Sequence, residues 1–359
     1  MRVLVLGAGI IGLSCAEELL RRGHQVSVVD PAPGSGASYA AAGMLSPSSE
    51  VWHTERDLLR LGLSSIELWP SYAGRLGVHL HRTGTLLVGF DRGDLQHVER
   101  QAALLESFGA APEMLTGSAA RRLEPTLSPR ATGAALLSED HSVDPRSVVE
   151  ALLSRVGRAR DDPEPRECDV TVVATGARLP EPWSSLVRGV RGEILRAHTD
   201  DPPTRTIRGW VHGEPLYVVP RADGGVVIGA TAEEHDADPV VTLGGVARLL
   251  DSARLLVPGL DRATFIEACA RDRPGTPDNV PLVGPAPGRD DVILAAGFFR
   301  HGVLLAPLAA QLVADHLETG HLDPALDPRR FDVAAARVDA DRLVHAPSGR
   351  EPTYRKDNA

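Results

Sequence analysis

The sequence predicts an α/β fold in two parts, a doubly wound parallel-sheet nucleotide-binding domain and an antiparallel-sheet α+β domain, both discontinuous. Three observations predict it. The first thirty residues read as strand, glycine-rich turn, helix and second strand, ending in an acid. Apolar strands that end in small residues recur at Cys168 to Gly176 and at Val292 to Gly302, the latter running into a helix. Between these lie strand patterns separated by turn residues, as antiparallel sheet requires.

The first unit is Val3-Leu-Val-Leu-Gly7-Ala-Gly9-Ile10-Ile11-Gly12. Val3 to Leu6 is apolar without interruption, which suits a parallel strand buried on both faces. Gly7 permits the tight turn, Gly9 a close approach of backbone to a pyrophosphate, and Gly12 close packing of helix on strand. Phosphate is then expected on the helix amides, from Ile10 and Ile11 onward. Leu13 to Leu20 has helical spacing, Gly23 reads as its C-cap, and Val26 to Val29 is the second strand. Asp30, at the tip of that strand, is placed to accept hydrogen bonds from an adenosine ribose.

This motif alone does not separate NAD from FAD. The next residues are a long run of small side chains that contains Pro31, Ala37, Ser38, Ala42 and Gly43 and ends at Met44, where an NAD domain is expected to turn directly into its next helix. Small side chains over that length let backbone come close to a large flat ligand. Here the sequence resembles the D-amino-acid oxidase family of FAD-dependent amine oxidases, and within it the glycine oxidase branch of thiazole (thiamine) biosynthesis. The resemblance runs from Met1 to about Phe331.

Composition sets outer bounds. A chain of 359 residues accommodates two sizeable cores. A net charge of -10 and a pI near 5.7 argue against nucleic acid or an anionic membrane as partner. Cys15, Cys168 and Cys269 are few and widely spaced, so neither a disulfide framework nor a zinc site is indicated. The first strand begins at once and no apolar run reaches membrane-spanning length, so a cytoplasmic protein is expected.

Further along, Leu58 to Leu76 has apolar residues at helical spacing, and His79 to Phe90 reads as strands around a turn at Gly84. His79 and His81 share a strand face, but a third metal ligand is missing and no metal is expected. Asp94 to Phe108 is an amphipathic helix, Arg121 to Ser142 is turn-rich with short strands, and Pro145 opens a helix to Val156. Arg158 to Glu167 is a short polar link where the resembled family has strands, so no cofactor contact is assigned to it. The resemblance implies that the Cys168 strand returns the chain to the nucleotide domain and that Gly176 lies close to the cofactor. The expected division gives 1–77, 143–190 and 285–331 to the FAD domain and 78–142 and 191–284 to the substrate domain, with 332–359 a loose extension.

In the second domain, Arg191 to Leu195 starts a sheet and Leu216 to Thr231 is a hairpin turning at Asp223-Gly224-Gly225, followed by a helix over Leu243 to Leu256. Tyr217 in that hairpin reads either as core or as a substrate contact, and the resemblance favours substrate. Arg273 lies in the strand-like run from Phe265. An arginine there wants an anion, either a structural carboxylate or a substrate. The resemblance implies that it grips the substrate carboxylate, which a planar guanidinium does bidentately.

The last segment, Gly297-Phe298-Phe299-Arg300-His301-Gly302-Val303-Leu304, joins a strand to a helix whose start presents amides and partial positive charge. The resemblance carries it past the flavin. Arg300 either joins Arg273 or stands outside as a gate. His301 reads as structural or flavin-contacting rather than as a general base. Overall the resemblance implies non-covalently held FAD and oxidation of glycine, sarcosine or a small D-amino acid, with O2 reduced to H2O2. It also brings a homo-oligomer and a hand-off of the imine to a thiazole synthase into view. The alternatives are a dehydrogenase of another small amino or hydroxy acid that uses a different acceptor, and a flavin-bearing subunit without turnover.

Overall fold

The computed structural model describes residues 1–50, 52, 55–157, 159–160, 168–235 and 237–331. Most of the expected link at 158–167 and the whole extension 332–359 lie outside the described residues.

The chain opens with β1 (Arg2–Leu6), α1 (Ile10–Arg21) and β2 (Gln25–Val29), as expected. Leu13, Cys15, Ala16 and Leu19 of α1 have no exposed surface, and each leucine so buried contributes roughly 2 kcal/mol. The small-residue run holds α2 (Ala37–Ala40) and β3 (Met44–Leu45). The helix expected over Leu58 to Leu76 is instead two, α3 (Arg56–Ile66) and α4 (Trp69–Leu76). Pro70 sits in the first turn of α4, where its missing N–H costs nothing. In one continuous helix the same proline would break the ladder.

β4 (Leu80–His81) and β5 (Thr85–Gly89) flank Gly84 but belong to different sheets. α5 (Arg92–Ser107) starts in a capping box between Asp91 and Asp94. After β6 (Glu113–Thr116), the region read as turn-rich begins inside a helix, α6 (Gly117–Leu123), which Thr116 caps through its hydroxyl. Seven residues are too few for periodicity to reveal. β7 (Gly133–Leu137) and β8 (His141–Val143) follow, then α7 (Pro145–Val156), whose Asp144 cap and first-turn Pro145 match the sequence reading. β9 (Val170–Val173) precedes the long β10 (Arg188–His198), β11 (Thr206–Val211), β12 (Glu214–Pro220) and β13 (Gly225–Gly229). The chain continues through α8 (Leu243–Leu256), β14 (Thr264–Gly275), β15 (Leu282–Ala286), β16 (Arg289–Ala296) and α9 (Gly302–Thr319).

One sheet has the order β15-β16-β9-β1-β2, with β16, β9, β1 and β2 parallel and β15 antiparallel on the edge. The division expected after Gly284 falls inside β15. α1, α7 and α9 share one core cluster with this sheet. The larger sheet runs β14-β10-β13-β12-β11-β5-β7-β6. It is antiparallel as expected except where β11 lies parallel to β5. Those two strands come from the two separate stretches of chain, and a long excursion lets neighbouring strands run the same way. A third, small sheet, β3-β8-β4, takes two strands from before β5 and one from after β7.

The β1–α1 turn admits no side chains. A Cβ on Gly12 would stand 2.0 Å from the Gly7 carbonyl oxygen, and one on Gly7, whose φ is +102°, 2.3 Å from the Ala174 oxygen. Gly12→Ala should therefore cost ~1–3 kcal/mol. Gly74→Ala in α4, where a Cβ meets nothing within 4 Å, should gain up to about 1 kcal/mol from helix propensity. Denaturant melts of both variants check the contrast, and equal effects would remove the steric argument.

Candidate active site

At the nucleotide end, Asp30 closes the turn that it follows. Its Oδ2 accepts from the Ala8 amide at 2.6 Å and its Oδ1 from the Ala32 amide at 2.8 Å. Ser38 in α2 accepts from the Ile10 amide at 3.0 Å, while the Gly9 N-cap offers no side chain to the first turn of α1. Pro31 is exposed, Ala37 is half-buried, Ala42 is buried, and Met44 is half-buried in β3. Gly43 is packed against Val143 and Pro145, where a Cβ would meet the Val143 oxygen at 1.9 Å, whereas Gly176 faces open space.

The small-residue run is held by arginines from elsewhere in the chain, which its own sequence does not announce. Arg271 donates to the Ser35 carbonyl at 2.7 Å, Arg146 to Tyr39 at 3.1 Å, Arg196 to Tyr39 at 3.2 Å and Arg221 to Ala42 at 2.6 Å. Arg146 also lies 3.7 Å over the Tyr39 ring. The arginines fix the loop through its backbone.

The other end is built on one face of the large sheet. Cross-strand partners share a face, and Tyr217 on β12 pairs with Arg208 on β11 and with Gly229 on β13. The Tyr217 hydroxyl lies 2.3 Å from where a Gly229 Cβ would stand, so only glycine leaves the ring its place. On β14, Arg273 alternates with Arg271 and Cys269, and its guanidinium lies over Gly192 of β10. Burial pushes the Tyr217 hydroxyl above its ordinary pKa, against the pull of Arg273 beside it.

Arg273 donates to the carbonyls of Arg191 at 3.4 Å and Thr231 at 3.2 Å and lies against the Tyr217 hydroxyl, and no carboxylate pairs with it among the described residues. The neighbouring Asp272 is engaged by Arg191 at 2.6 Å. The structural salt bridge allowed by the sequence therefore belongs to Arg191 and leaves Arg273 unmatched.

The β16–α9 turn meets this face. Phe299 has φ +44°, an uncommon conformation for a bulky residue, and its amide donates to Pro274 at 2.7 Å. This fastens the turn to the residue after Arg273. Phe298 is buried, and Gly302, Val303 and Leu304 form the first turn of α9. Arg300 pairs with buried Glu55 at 3.1 Å and stacks on Trp52 at 4.3 Å and on Phe299 at 5.1 Å. Behind them, Glu50 takes Arg208 at 2.5 Å. Burial opposes the Glu50 charge, yet Arg208 and Arg300 outweigh it and hold the carboxyl below its ordinary range. Glu50, Glu55, Trp52 and Arg208 were missed from sequence. Only Arg208, a charge inside the apolar strand Thr206-Ile-Arg-Gly-Trp-Val211, leaves a signal there.

His79 and His81 meet edge to face at 4.3 Å, and among the described residues they belong to no group that could hold a metal. Among the described residues the one group that could hold a metal is Asp91, Asp94 and His212. These acids already serve as a helix cap and as acceptors for the His212 and Gly213 amides.

A family model described as DAO, FAD dependent oxidoreductase, matches residues 2–316. The chain belongs to the DAO family of FAD-dependent oxidoreductases, and FAD is its cofactor. A Rhizobium etli protein that carries the name of a thiamine biosynthesis oxidoreductase, ThiO, is 35% identical over 340 residues, covering 90% of this chain and 98% of the relative. Glycine oxidase of Geobacillus kaustophilus is 30% identical over 351 residues, covering 88% and 92%. Its crystal structure superposes with a TM-score of 0.80, covering 92% of this chain and 98% of that one. The bifunctional protein ThiO/ThiG of Trichormus variabilis is 29% identical, and this chain spans 54% of its length.

The residues of this DAO-family chain fit FAD. α1 and α9 both start at the C-terminal ends of parallel strands of one sheet, and neither has a side-chain bond from its N-cap residue. Their first-turn amides are donors for a pyrophosphate and for ring carbonyls. Asp30 keeps lone pairs beyond its two amide bonds. His301, at the N-cap of α9, is buried with Nδ1 unpartnered among the described residues.

Burial, only partly offset by Glu50, pushes His301 from 6.5 down to about 4, so the imidazole is neutral near pH 7. A depressed pKa means that this group supports the fold fully above pH 6.5 and loses that support as pH falls through about 4. His301→Gln should accordingly melt below wild type at neutral pH, with the gap closing on acidification. A gap that does not change with pH would show His301 to be charged or exposed.

Proposed function

We propose that this enzyme is an FAD-dependent amine oxidase that oxidises glycine, or a similar small amine such as sarcosine or a small D-amino acid, to an imine with formation of H2O2. The observation that carries the reading is the unmatched guanidinium of Arg273 beside the Tyr217 hydroxyl, at the turn that leads into α9. A half-buried cation without a carboxylate calls for an anionic ligand, and an α-carboxylate supplies one. Bound FAD would supply the hydride acceptor for the substrate α-carbon and the two-electron reductant for O2. The protein binds and orients.

In this reading Arg273 clamps the carboxylate and Tyr217 hydrogen-bonds it, which aims the α-carbon at the cofactor side of the site. Arg300, already held by Glu55 and roofed by Trp52, takes the gate role rather than a second grip on the carboxylate. Neutral His301 lines the cofactor, and an amine that arrives deprotonated needs no side-chain base. The nucleotide contacts are assigned to the β1–α1 turn, Asp30, the 37–44 run, Gly176 and the 298–304 segment. The domain division is kept as expected, with the boundary moved ahead of β15. The ThiO and ThiO/ThiG names among the relatives support use of the imine in thiamine biosynthesis.

FAD is proposed to be held without a covalent bond. Cys15 and Cys269 are buried, with thiols pushed above their ordinary pKa by burial, Cys15 to about 12. A thiol so held is a poor nucleophile. Acid precipitation should release all flavin to the supernatant, and a yellow pellet would overturn this.

The test of function is H2O2 formation with glycine, sarcosine and small D-amino acids, together with kinetics of Arg273 variants saturated with FAD. Arg273→Ala should cost roughly 2 to 5 kcal/mol of transition-state binding, about 30-fold or more in kcat/KM. Arg273→Lys should recover only part, because an ammonium lacks the planar fork. Unchanged kcat/KM with a lowered melting temperature would take Arg273 out of the site.

A further inference from the structure

Behind the Glu50–Arg208 pair lies a second carboxyl that the proposed reaction does not use. Asp140, just before β8, is 1% exposed. The pairing of Leu45 with His141 sets Ser46 beside it. Thr85 on β5 pairs with Thr206 on β11, and alternation puts Thr85 and Arg208 on the same sheet face. The Ser46, Thr85 and Ser49 hydroxyls face the Asp140 carboxyl. Yet these hydroxyls and both carboxyl oxygens are buried without a completed hydrogen bond among the described residues.

The charged group that faces this pocket is Arg208, from β11, with the His141 imidazole next along β8. Arg208 gives its Nη1 to Glu50. One guanidinium therefore has a carboxylate hydrogen-bonded to it and a second carboxyl in electrostatic reach. An ionised carboxylate without a counterion is costly in such a place, whereas a neutral acid needs only hydrogen bonds.

We propose that Asp140 is a positioning residue for Arg208: neutral, it leaves the guanidinium to Glu50, and ionised, it competes for it and reduces the positive charge offered to a substrate carboxylate. This rests on the reading of the Arg273 site as a carboxylate site. The charge balance makes the effect visible. Arg208, Arg273 and Arg300 stand against Glu50 and Glu55, so one positive charge is in surplus while Asp140 is neutral and none once it ionises. Burial, opposed by the three hydroxyls and by Arg208, pushes the Asp140 carboxyl up to about 7, which places the change at neutral pH.

The experiment titrates FAD-saturated protein with glycolate, a carboxylate without an amine, and follows the perturbation of the flavin absorption band from about pH 6 to about pH 8. Glycolate itself stays ionised throughout. Wild type should bind it several-fold more weakly at the upper pH, and Asp140→Asn should bind as wild type does at the lower pH, with no pH dependence. Thr85→Val removes a hydroxyl that favours the ionised form and should move the wild-type midpoint upward. A flat wild-type profile, an Asp140→Asn profile that keeps the wild-type slope, or an unmoved midpoint in Thr85→Val would overturn the proposal. Absence of glycolate binding at every pH would overturn the carboxylate reading itself, and this proposal with it.

Discussion

The steric contact at the β1–α1 turn is the constraint on which the rest depends. The Gly7 carbonyl, Gly12 and the Ala174 backbone meet at distances that exclude even a methyl group. That contact seats the start of α1 against β1 and β9 together. It also fixes where α1 begins, hence where its amides point, and it draws α1 onto α9 through the shared apolar core. Asp30 seals the turn by taking the Ala8 amide.

A second constraint is the matching of buried charge. Arg191 takes Asp272, Arg146 takes Glu267, Arg208 takes Glu50 and Arg300 takes Glu55. Removing a guanidinium from water costs several kcal/mol unless a partner offsets it. Against that background Arg273, like Arg271 on the same strand, has carbonyl acceptors and no carboxylate among the described residues, but Arg273 alone of the two stands beside the buried Tyr217 hydroxyl. The pairs around Arg273 make its lack of a partner informative, because the neighbouring carboxylates are already committed.

What was legible in the sequence is what local pattern controls. Val3 to Asp30 was readable because strand, glycine turn and helix each have their own signature over a few residues, and Pro145 and Gly23 mark helix ends by chemistry that acts locally. The break between α3 and α4 depended on reading Pro70 as a start rather than an interior residue, and α6 is too short to show a period. The parallel β5–β11 pair joins stretches over a hundred residues apart, and no local pattern encodes it. Arg273, Tyr217 and Arg300 entered as candidates through the resemblance, whereas Glu50, Glu55 and Arg208 gain meaning only from partners that the fold supplies.

The two parts of the molecule are also mechanically joined. The run from Ser35 to Ala42, read from sequence as room for a ligand, is gripped by Arg146 of α7 and by Arg196, Arg221 and Arg271 of the large-sheet region. Ala40 and Ala42 within it, and Met44 just after, pack with Ile194, Val219, Val227 and Cys269 on the face that also bears Tyr217. The small-residue loop proposed to flank the nucleotide is therefore ordered by the sheet that bears Tyr217 and Arg273. Small side chains serve two ends there, since they bare carbonyls to the arginines and lie flat against the sheet. A change in the sheet that loosens those arginines would be felt at the nucleotide end, even though none of them belongs to the glycine-rich motif.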